Sequence, residues 1–149
     1  MKLLVCVDGS AQSTKAVVKA VEIASGCRID QVTLLHVHEE HLYPITEYNT
    51  TQEIQAEIKK NQELNNRLRE DQRKMLDHAA MRFREKGIEP DIVMKDGHAA
   101  HTIATVAEKE GYDMIVMGSR GSGGLKKLLL GSVSNAVIQE THASVLVVK

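Results

Sequence analysis

Short apolar runs alternate with amphipathic stretches along the chain. The run Leu3–Val7 is apolar at every position, which is typical of a strand buried on both faces of a sheet. Four later segments have the same apolar or β-branched character, and Pro90 favours an edge position for one of them. Five strands are predicted on this basis, over residues 3–7, 31–38, 88–94, 114–117 and 145–148.

Between these runs, apolar residues recur at three- and four-residue steps, as on the buried face of a helix. In the first such stretch Ala16 and Ala20 follow this spacing, Ser10 or Ser13 can cap the start, and Gly26 follows the end. Each parallel strand connection needs a crossover, so the alternation predicts an α/β fold. This fold is a Rossmann-like doubly wound parallel sheet with helices on both faces. Four helices are predicted, over residues 13–25, 51–87, 99–110 and 132–140.

The predicted helix 51–87 is unusually long, and its two halves differ. Its first half, 53–73, is dense in Glu, Gln, Asn, Lys and Arg and has few apolar positions. We expect this half to project past the sheet or to be partly frayed. A solvated helix face is the favoured interpretation of such a charged run, and a surface for a protein partner is the alternative.

Composition and charge fit one domain that covers residues 1–149. The chain has 149 residues, of which 42% are hydrophobic, enough for a core without disulfides or metals. Its 19 Lys and Arg residues nearly balance its 20 Asp and Glu residues. This balance argues against binding to nucleic acid or to an anionic membrane surface. Any anionic ligand must therefore be bound by local positive or N–H groups rather than by the overall charge.

The cysteines and the hydropathy of the chain indicate in which cellular compartment the protein is expected. Cys6 and Cys27 lie in different segments, without the spacing of a disulfide framework or a zinc site. The first apolar run, Leu3–Val7, is far shorter than a signal-peptide core or the roughly 18 residues of a membrane span. We therefore expect an unprocessed protein of the reducing cytoplasm.

The segment that begins at Met117 reads MGSRGSGGLKKLLLGSVSN and carries the richest candidate chemistry. Its glycines Gly118, Gly121 and Gly131 stand in a G-x2-G-x9-G-S arrangement. In a doubly wound sheet the ligand crevice lies beyond the carboxyl ends of the strands, and this segment follows the fourth strand. Glycines let a backbone approach phosphate closely and supply turns with positive φ, so we expect a phosphate cradle rather than a flexible linker.

The entry to the last helix adds anion-binding groups to this segment. Free N–H groups and the helix dipole at Gly131 and Ser132 favour a phosphate, and the hydroxyls of Ser132 and Ser134 can add hydrogen bonds. Arg120 supplies positive charge. The spacing fits neither the P-loop nor the G-x-G-x-x-G dinucleotide pattern, because the latter meets Lys126 where its last glycine belongs.

Together these motifs identify a family. The chain closely resembles the universal stress proteins over essentially its whole length, through LLVCVDGS, VTLLHV, DMIVMGSRGSGG, LLLGSVSNAVI and SVLVV in this order. The G-x2-G-x9-G-S spacing resembles that of the ATP-binding branch of the family. The resemblance implies the strand order 3-2-1-4-5, a cytoplasmic location and a homodimer formed through the last strand.

The resemblance also implies a set of nucleotide contacts. Val7 and Asp8 correspond to first-strand residues that contact adenosine, and Val37 to a second-strand residue whose backbone touches adenine. The residues after the fourth strand correspond to the ribose and phosphate cradle. The implied ligand is ATP with Mg²⁺, or AMP. The implied site comprises Val7, Asp8, Val37, Met117, Gly118, Arg120, Gly121, Gly131, Ser132, Val133 and Ser134.

Asp8 and several histidines have alternative interpretations. Asp8 can coordinate Mg²⁺ or bind ribose hydroxyls, or it can cap the following turn. The spacing of His36 and His38, with His41, Glu39 and Glu40 nearby, is compatible with a metal, but strand-end or surface histidines are the favoured interpretation.

Two further features bear on catalysis. His98 and His101 lie three residues apart at a helix start that borders the crevice, while Cys6 is expected to be a core residue rather than a nucleophile. The sequence offers no evident base beside the glycine segment and no acidic pair for two metals.

Three functions compete on these grounds. The first is a regulatory stress-response module, without catalytic residues, that binds an adenine nucleotide. The second is a slow nucleotide hydrolase or adenylyl-transfer enzyme that uses Asp8, Arg120 or His98. The third is a nucleotide-independent interaction module that uses the helix 51–87, with an unidentified protein partner. The intact glycine segment favours the first.

Overall fold

Strands and helices alternate along the chain in a computed structural model that describes residues 1–39, 50–121 and 130–149. The predicted alternation is confirmed within these ranges. The strands are β1 (Lys2–Cys6), β2 (Gln31–His38), β3 (Asp91–Asp96), β4 (Met114–Gly118) and β5 (Ser144–Val148). The helices are α1 (Ala11–Gly26), α2 (Thr51–Arg84), α3 (Ala99–Glu110) and α4 (Ser132–Glu140).

The five strands form one parallel sheet of order β3-β2-β1-β4-β5. This order confirms the expected fold class. In the register of the central strand, Leu4 lies between Thr33 of β2 and Ile115 of β4. The order of the strands reverses between β1 and β4, so the carboxyl ends of these two strands mark the switch point of the sheet.

Alternate residues of the central strands enter two separate cores. Leu3 and Val5 pack with Ala16 of α1 and Phe83 of α2 on one face of the sheet. Leu4, on the other face, packs in a cluster formed with α3 and α4. The helices therefore cover both faces, which explains why the central strands carry continuous apolar runs.

Helix α2 is continuous from Thr51, so its polar half projects as helix. Thr50 caps it: its side-chain hydroxyl accepts a hydrogen bond from the backbone N–H of Glu53, and the Glu53 carboxylate accepts one from the backbone N–H of Thr50. Only the second half of the helix has buried residues, which include Leu76 and Phe83. No helix in the described ranges is long and apolar enough to cross a membrane.

The third strand begins three residues later than predicted. The N–H of Ile88 donates to the carbonyl oxygen of Phe83 at 3.1 Å and so belongs to the turn that ends α2. Strand pairing starts at Asp91, after Pro90, and β3 lies at the sheet edge that Pro90 predicted.

Candidate functional site

A cavity of about 820 Å³ opens at the carboxyl ends of β1, β2 and β4, beside the first turns of α3 and α4. Its volume lies in the range of small-molecule sites. Every residue of the implied nucleotide site lines it, although these residues come from distant parts of the sequence. They are Val7, Asp8, Val37, Met117, Gly118, Arg120, Gly121, Gly131, Ser132, Val133 and Ser134.

The lining divides by chemistry. Apolar side chains come from the end of β2, from α3, from β4 and from α4, and include Val37, Ile103, Met117 and Val133. Charged groups come from the turn after β1, from Glu39 after β2 and from the segment after β4, which also supplies the glycines. The cavity therefore suits a ligand with one apolar part and one anionic part.

The N-terminus of α4 presents unpaired hydrogen-bond donors to this cavity. Its N-cap residue, Gly131, has no side chain to bond the first turn. The backbone N–H groups of Ser132, Val133 and Ser134 have no hydrogen-bond partner among the described residues. These groups and the helix dipole attract an anion.

Arg120 adds a positive charge beside this helix end. Its Nε is buried, and among the residues that the structure describes it has no hydrogen-bond partner and its guanidinium pairs with no carboxylate. A buried, unpaired guanidinium nitrogen is costly unless a ligand supplies the acceptor. Arg120 and the α4 amides therefore form a candidate anion site built from two independent elements.

Both ends of the glycine segment are tied to one carbonyl group. The backbone N–H of Gly131 donates to the oxygen of Ser119 at 2.7 Å, and the Ser134 hydroxyl lies 3.1 Å from the same oxygen. The Ser134 hydroxyl also lies 3.1 Å from the carbonyl oxygen of Gly131. This hydroxyl is buried and engaged by backbone, whereas Ser132 is exposed and its hydroxyl has no described partner.

Asp8 stabilises the turn after β1 with one carboxylate oxygen and leaves the other oxygen facing the cavity. Its Oδ1 accepts the backbone N–H of Ser10 at 2.9 Å, which stabilises the turn before α1. Its Oδ2 has no hydrogen-bond partner among the described residues. A Cβ atom added to Gly121 would lie 2.9 Å from this oxygen, so the two ends of the site are in contact.

The glycines matter for close approach rather than for positive φ. Gly118, Gly121 and Gly131 all lie outside the left-handed region, so the expectation of turns with positive φ is wrong at these positions. A Cβ atom at Gly118 would lie 2.8 Å from the backbone nitrogen of Ser13 in α1. Gly118 is therefore required for packing between β4 and α1.

The histidine candidates do not assemble a site. His36 and His38 lie at the end of β2, as the strand-end interpretation expects, and are buried rather than on the surface. His36 Nδ1 lies 2.7 Å from the carbonyl oxygen of Val7. In the described ranges no group of three or more His, Cys, Asp or Glu residues is arranged to hold a metal. His41 and Glu40 lie outside the described residues. His98 is exposed at the start of α3 and does not line the cavity.

Sequence reasoning missed the role of Glu39. Its Oε1 accepts the backbone N–H of Ala99 at 2.9 Å and so caps α3 from the end of β2. Both residues line the cavity, together with Leu35 and Ile103. The only available signal was that Glu39 follows a predicted strand at the carboxyl edge of the sheet.

Cys6 also lines the cavity, but its thiol is unreactive. Burial, together with the nearby Asp8 carboxylate, raises the pKa of the Cys6 thiol to about 12. The thiolate form is therefore scarce at neutral pH, and the interpretation of Cys6 as a small core residue fits.

A crevice at the switch point of a 3-2-1-4-5 parallel sheet, closed by an uncapped helix end, defines a doubly wound α/β domain of the ligand-binding class. The chain belongs to the universal stress protein family, whose pattern matches residues 1–149. This confirms the resemblance noted in the sequence.

Relatives match this chain from end to end. Universal stress protein YxiE of Bacillus subtilis is 34% identical over 148 residues, which cover 99% of this chain and 98% of YxiE. Universal stress protein MJ0577 of Methanocaldococcus jannaschii is 30% identical, over 99% of this chain and 94% of the relative.

Solved structures show the same fold. The structure of MJ0577 is similar at a TM-score of 0.80 over 99% of this chain and 94% of that one. A universal stress protein of Archaeoglobus fulgidus in complex with dAMP is similar at 0.63, with 19% identity, over 100% and 98% of the two chains. Other family structures at 17% and 22% identity contain AMP or cAMP. At such identities the likeness shows the fold alone.

Proposed function

We propose that this chain binds an adenine nucleotide in the cavity at the carboxyl edge of the sheet, with ATP and Mg²⁺ as the preferred ligand and AMP as the second. The bound nucleotide regulates the contacts of a stress-response module in the cytoplasm. Support comes from the family, from the adenine nucleotides bound to proteins of the same fold, and from the cavity itself.

One observation carries the proposal. Within the described part of the chain, the buried Nε of Arg120 has no acceptor, and Arg120 lines the same cavity as three amides of α4 that have no partner there. Phosphate oxygens are the acceptors that suit a guanidinium and a helix N-terminus at once. A ligand without acceptor oxygens at this position would leave these donors unsatisfied, and a neutral acceptor would form weaker bonds to the guanidinium than phosphate does.

The remaining lining residues suit the other parts of the nucleotide. The apolar group around Val37, Ile103 and Val133 suits a flat base, and the free Oδ2 of Asp8 suits ribose hydroxyls or a phosphate-bound Mg²⁺. A single carboxylate together with phosphate oxygens is a common environment for Mg²⁺ in nucleotide sites.

Regulation is favoured over rapid turnover. Among the described lining residues the carboxylates are Asp8 and Glu39, and each already bonds a backbone N–H. The Cys6 thiol is protonated because burial raises its pKa to about 12. Since each carboxylate is held by a backbone N–H, the free Oδ2 of Asp8 is assigned to the ligand or its Mg²⁺, and His36 Nδ1 contacts the Val7 carbonyl oxygen, we expect ATP hydrolysis to be slow or nil.

We also propose a homodimer through β5, as the family resemblance implies. This strand lies at an edge of the sheet, and Val145 to Val148 are apolar and only partly buried. An edge of this kind can pair with a second copy.

The test begins with the purified protein. Any co-purified small molecule is identified by mass spectrometry, and the stripped protein is then titrated with ATP and Mg²⁺ by calorimetry. Arg120→Gln should weaken ATP binding by about tenfold or more, because it removes a charge-assisted bond to phosphate. Arg28→Gln is the matched control, since Arg28 is exposed and does not line the cavity.

Two results would overturn the proposal. One is a stripped, folded protein that binds neither ATP nor AMP. The other is equal ATP affinity in Arg120→Gln and wild type. Repeated turnover of ATP that is lost in Asp8→Asn would instead favour a nucleotide hydrolase or adenylyl-transfer enzyme. Asparagine is the informative substitution because it keeps the Oδ1 bond to Ser10 and removes only the charge.

A further inference from the structure

The first half of α2 extends beyond the sheet. The guanidinium of Arg69 contacts the carboxylate of Asp96 at 2.7 Å, and Asp96 is the last residue of β3. This ion pair marks where the helix leaves the carboxyl edge of the sheet. The eighteen residues before it, 51–68, span about 27 Å at about 1.5 Å per residue.

An apolar stripe runs along this projecting half. Ile54, Ile58 and Leu64 are 37%, 43% and 38% exposed, and Leu68 is partly exposed. At about 100° per residue these four side chains and Asn61 occupy an arc of about 120° on the helix. The sheet does not bury these apolar side chains, so a contact with another surface would stabilise them.

The stripe is symmetric about Asn61. Ile54 and Leu68 lie seven residues before and after it, and Ile58 and Leu64 lie three residues before and after it. In an antiparallel pair of such helices, Ile54 of one copy meets Leu68 of the other, and Ile58 meets Leu64. We propose that the occupant of this stripe is the same stripe of a second copy, related by a two-fold axis at Asn61.

Charges within and beside the stripe fit the same arrangement. Glu57 lies within the stripe, on the same side of Asn61 as Leu64 and Leu68, and Arg67 lies just beyond the edge of the stripe on that side. They are roughly 1.1 turns before and roughly 1.7 turns after Asn61. Glu57 of each copy therefore lies near Arg67 of the other, and the pair occurs twice. Among the residues that the structure describes, the one ion-pair contact of Glu57 is with Lys60 at 3.8 Å, and Arg67 has no ion-pair partner.

Asn61 fixes the register of this pair. It lies at the centre of the stripe and on the two-fold axis, so two copies of the amide face each other. A single polar residue in an apolar helix seam specifies alignment at a cost in stability. The contact is self-complementary, as a two-fold interface must be, and it is separate from the β5 edge.

Cross-linking at the axis is the sharpest test. Asn61→Cys, in a Cys27→Ser background, should form a disulfide between two copies under mild oxidation. The matched control is Glu63→Cys, because residue 63 lies on the opposite face of α2. Cys6 lies in the cavity at the end of β1, away from α2, and is present in both variants, so it does not affect the comparison. Cross-linking at both positions alike, or at neither, would overturn the proposal, provided that circular dichroism shows both variants folded.

A charge exchange tests the pairing itself. Glu57→Arg and Arg67→Glu should each lower the cross-linked yield at position 61 several-fold, and the double exchange should restore it. Sedimentation velocity on the Cys27→Ser parent should show a concentration-dependent species that Ile58→Lys removes. Any association through β5 should survive Ile58→Lys. A double exchange that rescues nothing would overturn the pairing. The readouts need no nucleotide, so they stand apart from the nucleotide proposal.

Discussion

The hydroxyl of Ser134 lies 3.1 Å from the carbonyl oxygen of Ser119, fifteen residues earlier in the chain. The backbone N–H of Gly131 reaches the same oxygen at 2.7 Å. One carbonyl group thereby joins the segment just after β4, which contains Arg120, to the start of α4, which carries the open amides. The geometry of the candidate anion site depends on this contact.

Ser134 and Ser132 are therefore expected to behave differently. Ser134→Ala removes a buried hydroxyl that bonds backbone, so the free energy of unfolding should fall by about 1 kcal/mol. Ser132→Ala removes an exposed hydroxyl and should leave stability within about 0.5 kcal/mol while weakening ATP binding. Urea denaturation and calorimetry on both variants check this. Equal stability losses in the two variants would contradict the distinction.

Gly118 is expected to tolerate no side chain. A Cβ atom there would lie 2.8 Å from the carbonyl carbon of Gln12 and from the backbone nitrogen of Ser13, so α1 would have to move. Gly118→Ala should lower the free energy of unfolding by about 1–3 kcal/mol or more, whether or not nucleotide is present.

Gly26→Ala is the control for Gly118→Ala. A Cβ atom at Gly26 meets nothing within 4 Å, and this helical position should gain about 0.5–1 kcal/mol from alanine. Chemical denaturation of both variants measures these two changes in the free energy of unfolding. A Gly118→Ala protein as stable as wild type would show that β4 and α1 do not pack this closely.

The alternation of strands and helices was readable from the sequence because each element has its own hydrophobic period. The strand order 3-2-1-4-5 was not readable in this way, since it depends on which edges pack together in three dimensions. It came from the resemblance to a family, and the structure confirms it. The start of β3 was misjudged because Ile88 is apolar in either role, and its hydrogen bond to Phe83 is a tertiary detail.

In the candidate site, too, local sequence patterns predicted some features, while features that depend on tertiary contacts were not predicted. Glycine spacing located the segment after β4, since that pattern is local. The bond from Glu39 to Ala99 joins residues sixty positions apart and leaves no local pattern. The reason for Gly118 was also hidden, because the backbone it contacts belongs to α1, more than a hundred residues earlier.

The two cysteines should differ sharply in reactivity. Cys27 is exposed, whereas burial and the Asp8 carboxylate raise the pKa of the Cys6 thiol to about 12. Iodoacetamide at mildly alkaline pH should therefore add one group to the native chain and two to the denatured chain. Intact-mass spectrometry counts the additions, and native Cys27→Ser should take up none. Rapid labelling of native Cys6 would refute its burial.

Glu108 should contribute to stability only above acidic pH. The backbone N–H of His142, at 2.7 Å from Oε1, lowers the pKa of Glu108, and the Thr141 hydroxyl at 3.2 Å acts in the same direction. Because the folded-state pKa lies below the unfolded one, this stabilisation is present above the unfolded pKa and is lost as pH falls through the folded-state value. Glu108→Gln should therefore flatten the acid limb of the unfolding free energy against pH, whereas Glu63→Gln, on the solvent-exposed face of α2, should not. An acid limb of unchanged slope in Glu108→Gln would show that the contact between α3 and the turn before β5 does not form in solution.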